Sequence, residues 1–253
     1  MATPETHGAD AAHHAAHSLF YGPVNAAWHG FLNLTGLDSR WGNTEVPEHV
    51  VGALFVLVLV TLVAIPLRFA LKRDKPGKLQ QILELFVQGL SGLIDDAVGH
   101  GAGKRYVPIL GAFAVFIFLS NLSGQFFFLS PATQSVNTTF ALSLTAFAYY
   151  HYAGLRAQGL HYFKFLLGPV AWLFLLFIPL ELISHAARAV SLGLRLFGNI
   201  FGEHTIAGAV NGLVPLLAPL PLMALGLFAA MLQTFIFVML NTVYIAGAEH
   251  PDH

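Results

Sequence analysis

Residues 172–213 read WLFLLFIPLELISHAARAVSLGLRLFGNIFGEHTIAGAVNGL. The stretch is apolar enough for a membrane-crossing helix, yet four charges are set into it: Glu181, Arg188, Arg195 and Glu203. Such a residue near the bilayer centre costs on the order of 3 kcal/mol, so it is kept where it faces a bundle interior or water and marks an ion path. The run also exceeds the roughly 20 residues that cross a hydrocarbon core perpendicularly, which predicts a strongly tilted or broken helix.

The composition around this stretch is that of a membrane protein. Of 253 residues, 56% are hydrophobic and 10% are Asp, Glu, Lys or Arg, where a soluble domain carries about 25% charged residues. The mean hydropathy is +0.67. Too little charge is present to coat a soluble enzyme or to keep a chain disordered, and a net charge of −1 argues against nucleic acid as a partner. Without cysteine there is no disulfide, Cys-ligated metal or thiol chemistry.

Charge-free runs predict five spans, at roughly 50–70, 106–130, 136–154, 172–213 and 220–247. The first holds VVGALFVLVLVTLVAIPL at 50–67. The turn-like SPATQS at 130–135 separates the second from the third. The proline-rich VPLLAPLP at 214–221 ends the fourth and starts the fifth. Outside these spans, Leu79, Ile82, Leu83, Phe86, Leu90, Leu93 and Ala97 recur at helical spacing, opposite Gln80, Gln81, Glu84, Gln88, Ser91 and Asp95. That pattern predicts an amphipathic helix over 79–97, lying along the membrane surface behind Lys72, Arg73, Lys75 and Lys78. The fold class is therefore an all-α membrane protein, with five transmembrane helices and one amphipathic surface helix, the last two spans long and tilted.

Orientation follows from the basic residues. Arg68, Lys72, Arg73, Lys75, Lys78, Lys104 and Arg105 lie between the first two spans, and Arg156 and Lys164 between the third and fourth. The turns at 131–135 and 214–221 carry no charge, and the first 48 residues carry one basic residue, Arg40. The positive side is the inner side, so the N-terminus is expected outside and the C-terminus in the cytoplasm. The chain divides into an outer His/Ala-rich tail (1–48), an integral helical domain (49–248) and an inner C-terminal tail (249–253). The tail lacks the basic start and apolar core of a signal peptide. His13, His14 and His17 have the chemistry of metal ligands, but a loose polar tail is the simpler expectation and no metal site is assigned. No internal repeat supports an inverted-repeat transporter.

At about 100° per residue, Glu181, Ser184, Arg188, Ser191, Asn199 and Gly202 all fall within roughly 40° of Arg195, and Glu203 about 80° away. Glu181 and Glu203 stand about 21 Å and 12 Å from Arg195 along the helix axis, on opposite sides. Neither is close enough to neutralise it, so its partner is expected on another helix or another chain. Arg188, nearer the basic side, suits a structural or orienting role. A guanidinium does not lose its proton in a protein, so Arg195 is a fixed charge rather than a proton carrier. Against a buried carboxylate it favours the ionised acid.

The string SLGLRLFGN at 191–199 closely resembles the signature of the subunit a family of F-type ATP synthases. LQTFIFVMLNTVY at 232–244 resembles that family's final helix, and FLSNL at 118–122 followed by VNTT at 136–139 is a weaker match. The resemblance spans roughly residues 50–250 and leaves the tail before residue 45 uncovered. It implies a stator with two offset half-channels, against which a ring of c subunits turns. A proton enters one half-channel, loads a ring carboxylate, travels round and leaves by the other. Arg195 occupies the position of the arginine between them. Asn199 and Gln233 match flanking polar positions, and Glu181 and Ser184 match the half-channel on the basic-loop side. Asn121, Asn137 and Glu203 are candidates for the half-channel on the N-terminal side.

The chain departs from some family members in carrying His204 where they place an acid after the residue matching Glu203. It also carries Gly226 where they place a histidine in the last span. Glu203 and His204 are thus expected to supply acid and imidazole from one helix. His185, beside the Glu181 stripe, titrates in the useful range. The implied partners are c-ring subunits, b-type peripheral stalk subunits and membrane lipid, in a bacterial inner membrane. No cofactor is implied. Phosphate-binding loops, a Ser-His-Asp order and paired-His motifs are absent from the sequence, so neither catalysis nor direct nucleotide binding is expected. Two rival classes remain open at this point: a self-contained ion-coupled transporter, and a scaffold whose ion pairs only hold subunits together.

Overall fold

A computed structural model describes residues 20–35, 45–71, 77–125, 130–159, 162, 174–211 and 219–249. Within helices, the side chains of 33–35, 70, 174–178, 181–182, 207–211 and 219–220 are outside the described set. The regular structure among the described residues is all helical. They form α1 (Tyr21–Thr35), α2 (Glu48–Ala70), α3 (Lys78–Val98), α4 (Ala102–Ser123), α5 (Val136–Gln158), α6 (Phe174–Asn211) and α7 (Pro219–Glu249), with a 3-10 turn at Ala132–Gln134 leading into α5.

The helix ends follow local chemistry. Between α3 and α4 the chain reverses through Gly99 and Gly101, at φ +128° and +89°, where a side chain would be strained. Asp95 closes the turn by accepting from the Gly103 N–H at 2.8 Å, and so caps the start of α4 with a carboxylate from the preceding helix. The turn folds α4 back onto α3, and this settles which face of α3 is inside. Leu90, Ile94 and Val98 are buried, one turn apart, whereas Leu79 is 71% exposed and Ile82 and Phe86 are also exposed. The expected helix is present, but its inner stripe is displaced from the predicted apolar face, of which Leu90 alone is fully buried. Leu79, Ile82, Leu83, Leu85 and Phe86 form an apolar face left exposed among the described residues.

Among the described residues, three helices have the length and apolarity to cross a membrane: Glu48–Phe69, Ala102–Ser123 and Pro221–Glu249. α5 is long enough but carries Asn137, Thr138, Thr139, Ser143, Thr145, Tyr149, Tyr150 and His151, which lower its hydropathy. α6 and α7, with 38 and 31 residues, are about 57 Å and 46 Å long at 1.5 Å per residue. Both exceed a hydrocarbon core of about 30 Å.

The second predicted span ends earlier than expected. α4 stops at Ser123, where the Gly124 N–H donates to the Asn121 carbonyl at 3.2 Å and the Gln125 N–H to that of Leu122 at 3.1 Å, and residues 126–129 are outside the described set. Within the segment assigned to a tail, α1 forms a helix that buries Leu32 and stacks Phe20 on Phe55 of α2 at 5.1 Å. Asn25 Oδ1 ties it down by accepting from the Val46 N–H at 2.6 Å. His13, His14 and His17 lie outside the described residues.

The core joins α3, α4, α5, α6 and α7 around Ile94, Leu110, Ile117, Leu196, Phe237 and Ile245. α7 is fastened at its end. Arg105 Nη1 bonds Glu249 Oε1 at 2.9 Å, the Tyr106 hydroxyl donates to the same oxygen, and Gln158 Nε2 donates to the carbonyls of Ala248 and Glu249 at 2.9 and 3.2 Å. Tyr106 is buried, and the Arg105 side chain is 39% exposed, so most of the latch energy lies in the phenol–carboxylate bond. Glu249→Ala therefore leaves a buried hydroxyl without its acceptor, at a cost of about 1–3 kcal/mol. The expected result is a lower thermal midpoint of the assembled complex, partly recovered in Glu249→Ala/Tyr106→Phe, where the orphaned hydroxyl is also removed. No recovery in the double variant would show that the phenol is not the main partner.

Candidate functional site

α6 has two faces. His185, Ala189, Leu192, Leu196 and Ile200 recur every three or four residues and are buried, Leu196 completely. Ile183, Leu194, Phe201 and Ile206 are exposed, Ile183 to 68%, and Arg195 lies on that outer side. Gly193 permits a close crossing with α5, because a Cβ there would stand 2.9 Å from Ser143 Oγ and 3.4 Å from the Phe140 ring. The tight contact seats the buried face on α5 and turns the next residues but one outward.

Arg195 thus projects away from the chain's own packing. Among the described residues it forms no ion pair, and the ion pair present is Arg105–Glu249 at the far end of α7. Asn199 and Ser184 are half-buried on the same helix, while the Glu181 side chain lies outside the described residues. Gln233 on α7 is buried, and its Nε2 has no acceptor among the described residues.

A second group gathers where α4 ends. Gln125 Nε2 donates to Glu203 Oε1, and the carboxylate lies so close to Gly226 of α7 that a Cβ there would collide with it and with the Gln125 amide. His204 turns to the same place, its Nε2 3.2 Å from where a Cβ of Gly124 would be. Asn121 is fully buried and accepts from Thr133 Oγ1 at 2.7 Å, while Thr133 N–H donates to Ser120 Oγ at 3.2 Å. Asn121 Nδ2 has no partner among the described residues. The structure therefore places Glu203 and His204 beside the end of α4, the helix that carries Asn121, while the Asn121 side chain itself bonds Thr133. Asn137 is exposed on the first turn of α5, and no contact among the described residues joins it to them. Gln125 and Thr133 carry no signal in the sequence. Each is a lone polar residue at a helix end or turn, and nothing in its spacing announces a partner on α4 or α6.

On the other side of Arg195, toward the basic loops, the interior is also polar. Tyr150 Oη lies 2.6 Å from His185 Nδ1, and His151 Nδ1 lies 2.7 Å from Tyr162 Oη. The Arg188 guanidinium stacks over the Tyr244 ring at 5.4 Å, a cation–π contact. Tyr150, Arg188 and Tyr244 also line a cleft with Ser143, Leu192 and Asn241. Among the described residues no cluster of three or more His, Cys, Asp or Glu is placed to hold a metal.

The sequence model of the ATP synthase A chain family matches residues 50–246. The chain is 42% identical over 205 residues to "ATP synthase subunit a 1" of Syntrophotalea carbinolica, covering 81% of this chain and 87% of the relative. It is 39% identical over 211 residues to "ATP synthase subunit a" of a Sulfurihydrogenibium species, covering 81% and 99%. It is 38% identical over 206 residues to the protein of that name in Campylobacter jejuni subsp. doylei, covering 79% and 91%.

Proposed function

This chain belongs to the ATP synthase A chain family, and from that premise we propose that it is the non-catalytic, proton-translocating stator subunit of a rotary ATP synthase. The observation that carries the mechanism is Arg195, exposed on α6 and without an internal counter-charge among the described residues. A permanent cation on the outer face of a stator meets acids that belong to another chain, the carboxylates of a c-ring. Beside Arg195 a ring carboxylate gives up its proton, because the ionised form gains the attraction of a nearby guanidinium. The same fixed charge repels a proton attempting to pass straight from one half-channel to the other.

Asn121, Glu203 and His204, with Gln125, line the uptake half-channel on the N-terminal side. Glu181 and Ser184 line the release side toward the basic loops. Asn199 and Gln233 hold polar positions beside the arginine. Asn137 contributes at the outer mouth of the uptake side.

In this arrangement α2, α4, α5, α6 and α7 cross the bilayer, α6 and α7 strongly tilted, and α3 rests its exposed leucines in the inner lipid surface. The N-terminus is outside and the C-terminus in the cytoplasm of a bacterial inner membrane, following the basic loops. A c-ring, b-type stalk subunits and lipid cover the exposed faces, and the chain binds no nucleotide. A self-contained transporter is less well supported, since it needs its charged substrate site enclosed within the chain and Arg195 faces outward. The decisive experiment replaces Arg195 in the whole complex and asks whether coupled synthesis survives assembly.

A further inference from the structure

Four ring residues on the basic-loop side have no part in the mechanism above. His185 is 4% exposed, and Tyr150 and Tyr162 are equally buried. They make two hydrogen-bonded pairs, Tyr150 with His185 and His151 with Tyr162, and the two imidazole centroids stand 5.0 Å apart. Phenylalanine and leucine would fill this space without burying a polar atom, and a satisfied hydrogen bond of this kind adds only about 1 kcal/mol. Packing alone gives no reason for two imidazoles side by side.

The placement of the cluster supplies one. At its inner end is the cleft bordered by Ser143, Arg188 and Asn241, with Arg188 two turns of α6 from Arg195. At its outer end Tyr162 follows the close of α5, where Arg156 and Gln158 mark the basic-loop side. The ionisable groups facing the imidazoles among the described side chains are Tyr150, Tyr162, Arg188 and Tyr244. We infer that His185 and His151, with their tyrosine partners, form an internal proton-release branch through the packing of α5, α6 and α7, parallel to the outer Glu181–Ser184 face. This rests on the proton-translocating function proposed above.

The step balances without another reactant. The Tyr150 hydroxyl, which borders the cleft, takes one proton from the cleft side as it gives its own to the unprotonated Nδ1 of a neutral His185, and His185 gives one from Nε2 toward His151. The imidazole ends neutral, with its tautomer reversed. The Tyr150 hydroxyl, both donor and acceptor, holds the ring in line in either tautomer. His151 and Tyr162 repeat the exchange one station further out.

The test uses the intact ATP synthase in proteoliposomes under an imposed proton gradient. ATP synthesis is normalised to the ATP hydrolysis of the same preparation, and subunit content is measured in the purified complex. In His185→Gln the rate is expected to fall at least about fivefold. The wild-type to variant ratio is expected to change with pH on the basic-loop side, because the branch accepts and releases protons. Tyr150→Phe, which loses only the hydroxyl, is expected to slow synthesis in the same direction. A structural role would give a ratio that is the same at every pH, and that result overturns the inference, as does an unchanged rate in either assembled variant. Failure of both variants to assemble also overturns it, since the cluster would then be a packing element. Arg195→Ala in the same vesicles keeps the two claims apart. If it loses synthesis while the His185 variant behaves as wild type, the branch fails and the stator function stands; if it retains synthesis, the underlying function fails.

Discussion

Arg195→Ala is expected to abolish ATP synthesis driven by a proton gradient while leaving the complex assembled and ATP hydrolysis by its soluble sector intact. The side chain is exposed and touches no ion-pair partner among the described residues, so its removal leaves no buried charge unpaired and opens no cavity in the core. Stability should change by less than about 0.5 kcal/mol, as for surface positions generally. The effect on transport is of another order. Without the cation, an ionised ring carboxylate facing α6 loses its counter-charge, and holding it ionised in a low-dielectric setting costs several kcal/mol. At about 1.4 kcal/mol per factor of ten, that is a loss of at least about a hundredfold. The same variant should leak protons passively, since nothing repels a proton passing between the half-channels.

Arg195→Lys separates charge from chemistry. Lysine restores a point charge, but it is able to deprotonate when desolvated, and it lacks the planar fork that matches a carboxylate. Partial suppression of the leak with little recovery of synthesis is the expected outcome. Normal synthesis in Arg195→Ala, measured in complexes with full subunit content, would remove the basis of the mechanism. Assembly failure would instead favour the scaffold alternative.

The legibility of this molecule in its sequence tracks how local each feature is. Helix positions were readable because apolar runs between prolines and charges are local facts: α2 and α7 begin close to where the runs at 50–67 and after 214–221 place them. Arg195 stood out because a charge in an apolar run is costly wherever the helix packs. The inner stripe of α3 was displaced because Gly99 and Gly101 decide the direction of α4, and a periodicity count does not contain that direction. α1 lies in a segment whose His/Ala-rich start reads as a tail, and its packing depends on Phe55 and Val46, beyond its own sequence. Tyr150 and His151 look like ordinary interfacial aromatics in α5, and their bonds to His185 and Tyr162 exist only after α6 lies beside them. Gly226 was visible as a departure from a family pattern. That its missing side chain makes room for Glu203 is a fact of three helices meeting.

This vacancy leads to the second large effect. Gly226→Val is expected to lower coupled ATP synthesis by tenfold or more, because a side chain at 226 occupies the volume now held by the Glu203 carboxylate and the Gln125 amide. Something must shift, and the choices are unfavourable. Moving Glu203 breaks its hydrogen bond to Gln125 and pushes an acid toward surroundings that include the exposed, apolar Leu225 and Phe228. Moving α7 disturbs Gln233 and the packing of Phe237, while overpacking alone costs about 1–3 kcal/mol. Glu203→Gln provides the chemical counterpart: it keeps the volume and a hydrogen-bonding group but removes the ionisable proton site, so synthesis should fall with little change in assembly.

The double variant Glu203→Ala/Gly226→Val then separates the causes. Deleting the carboxylate empties the space that valine needs, so assembly and thermal stability should recover relative to Gly226→Val alone, a non-additivity of about 1–3 kcal/mol between contacting sites. Proton-driven synthesis should stay low, because the acid is gone whether or not the helices fit. Recovery of synthesis in the double variant would mean that Glu203 fills space rather than carries protons, and His204, beside it on the same helix, would become the residue to replace next.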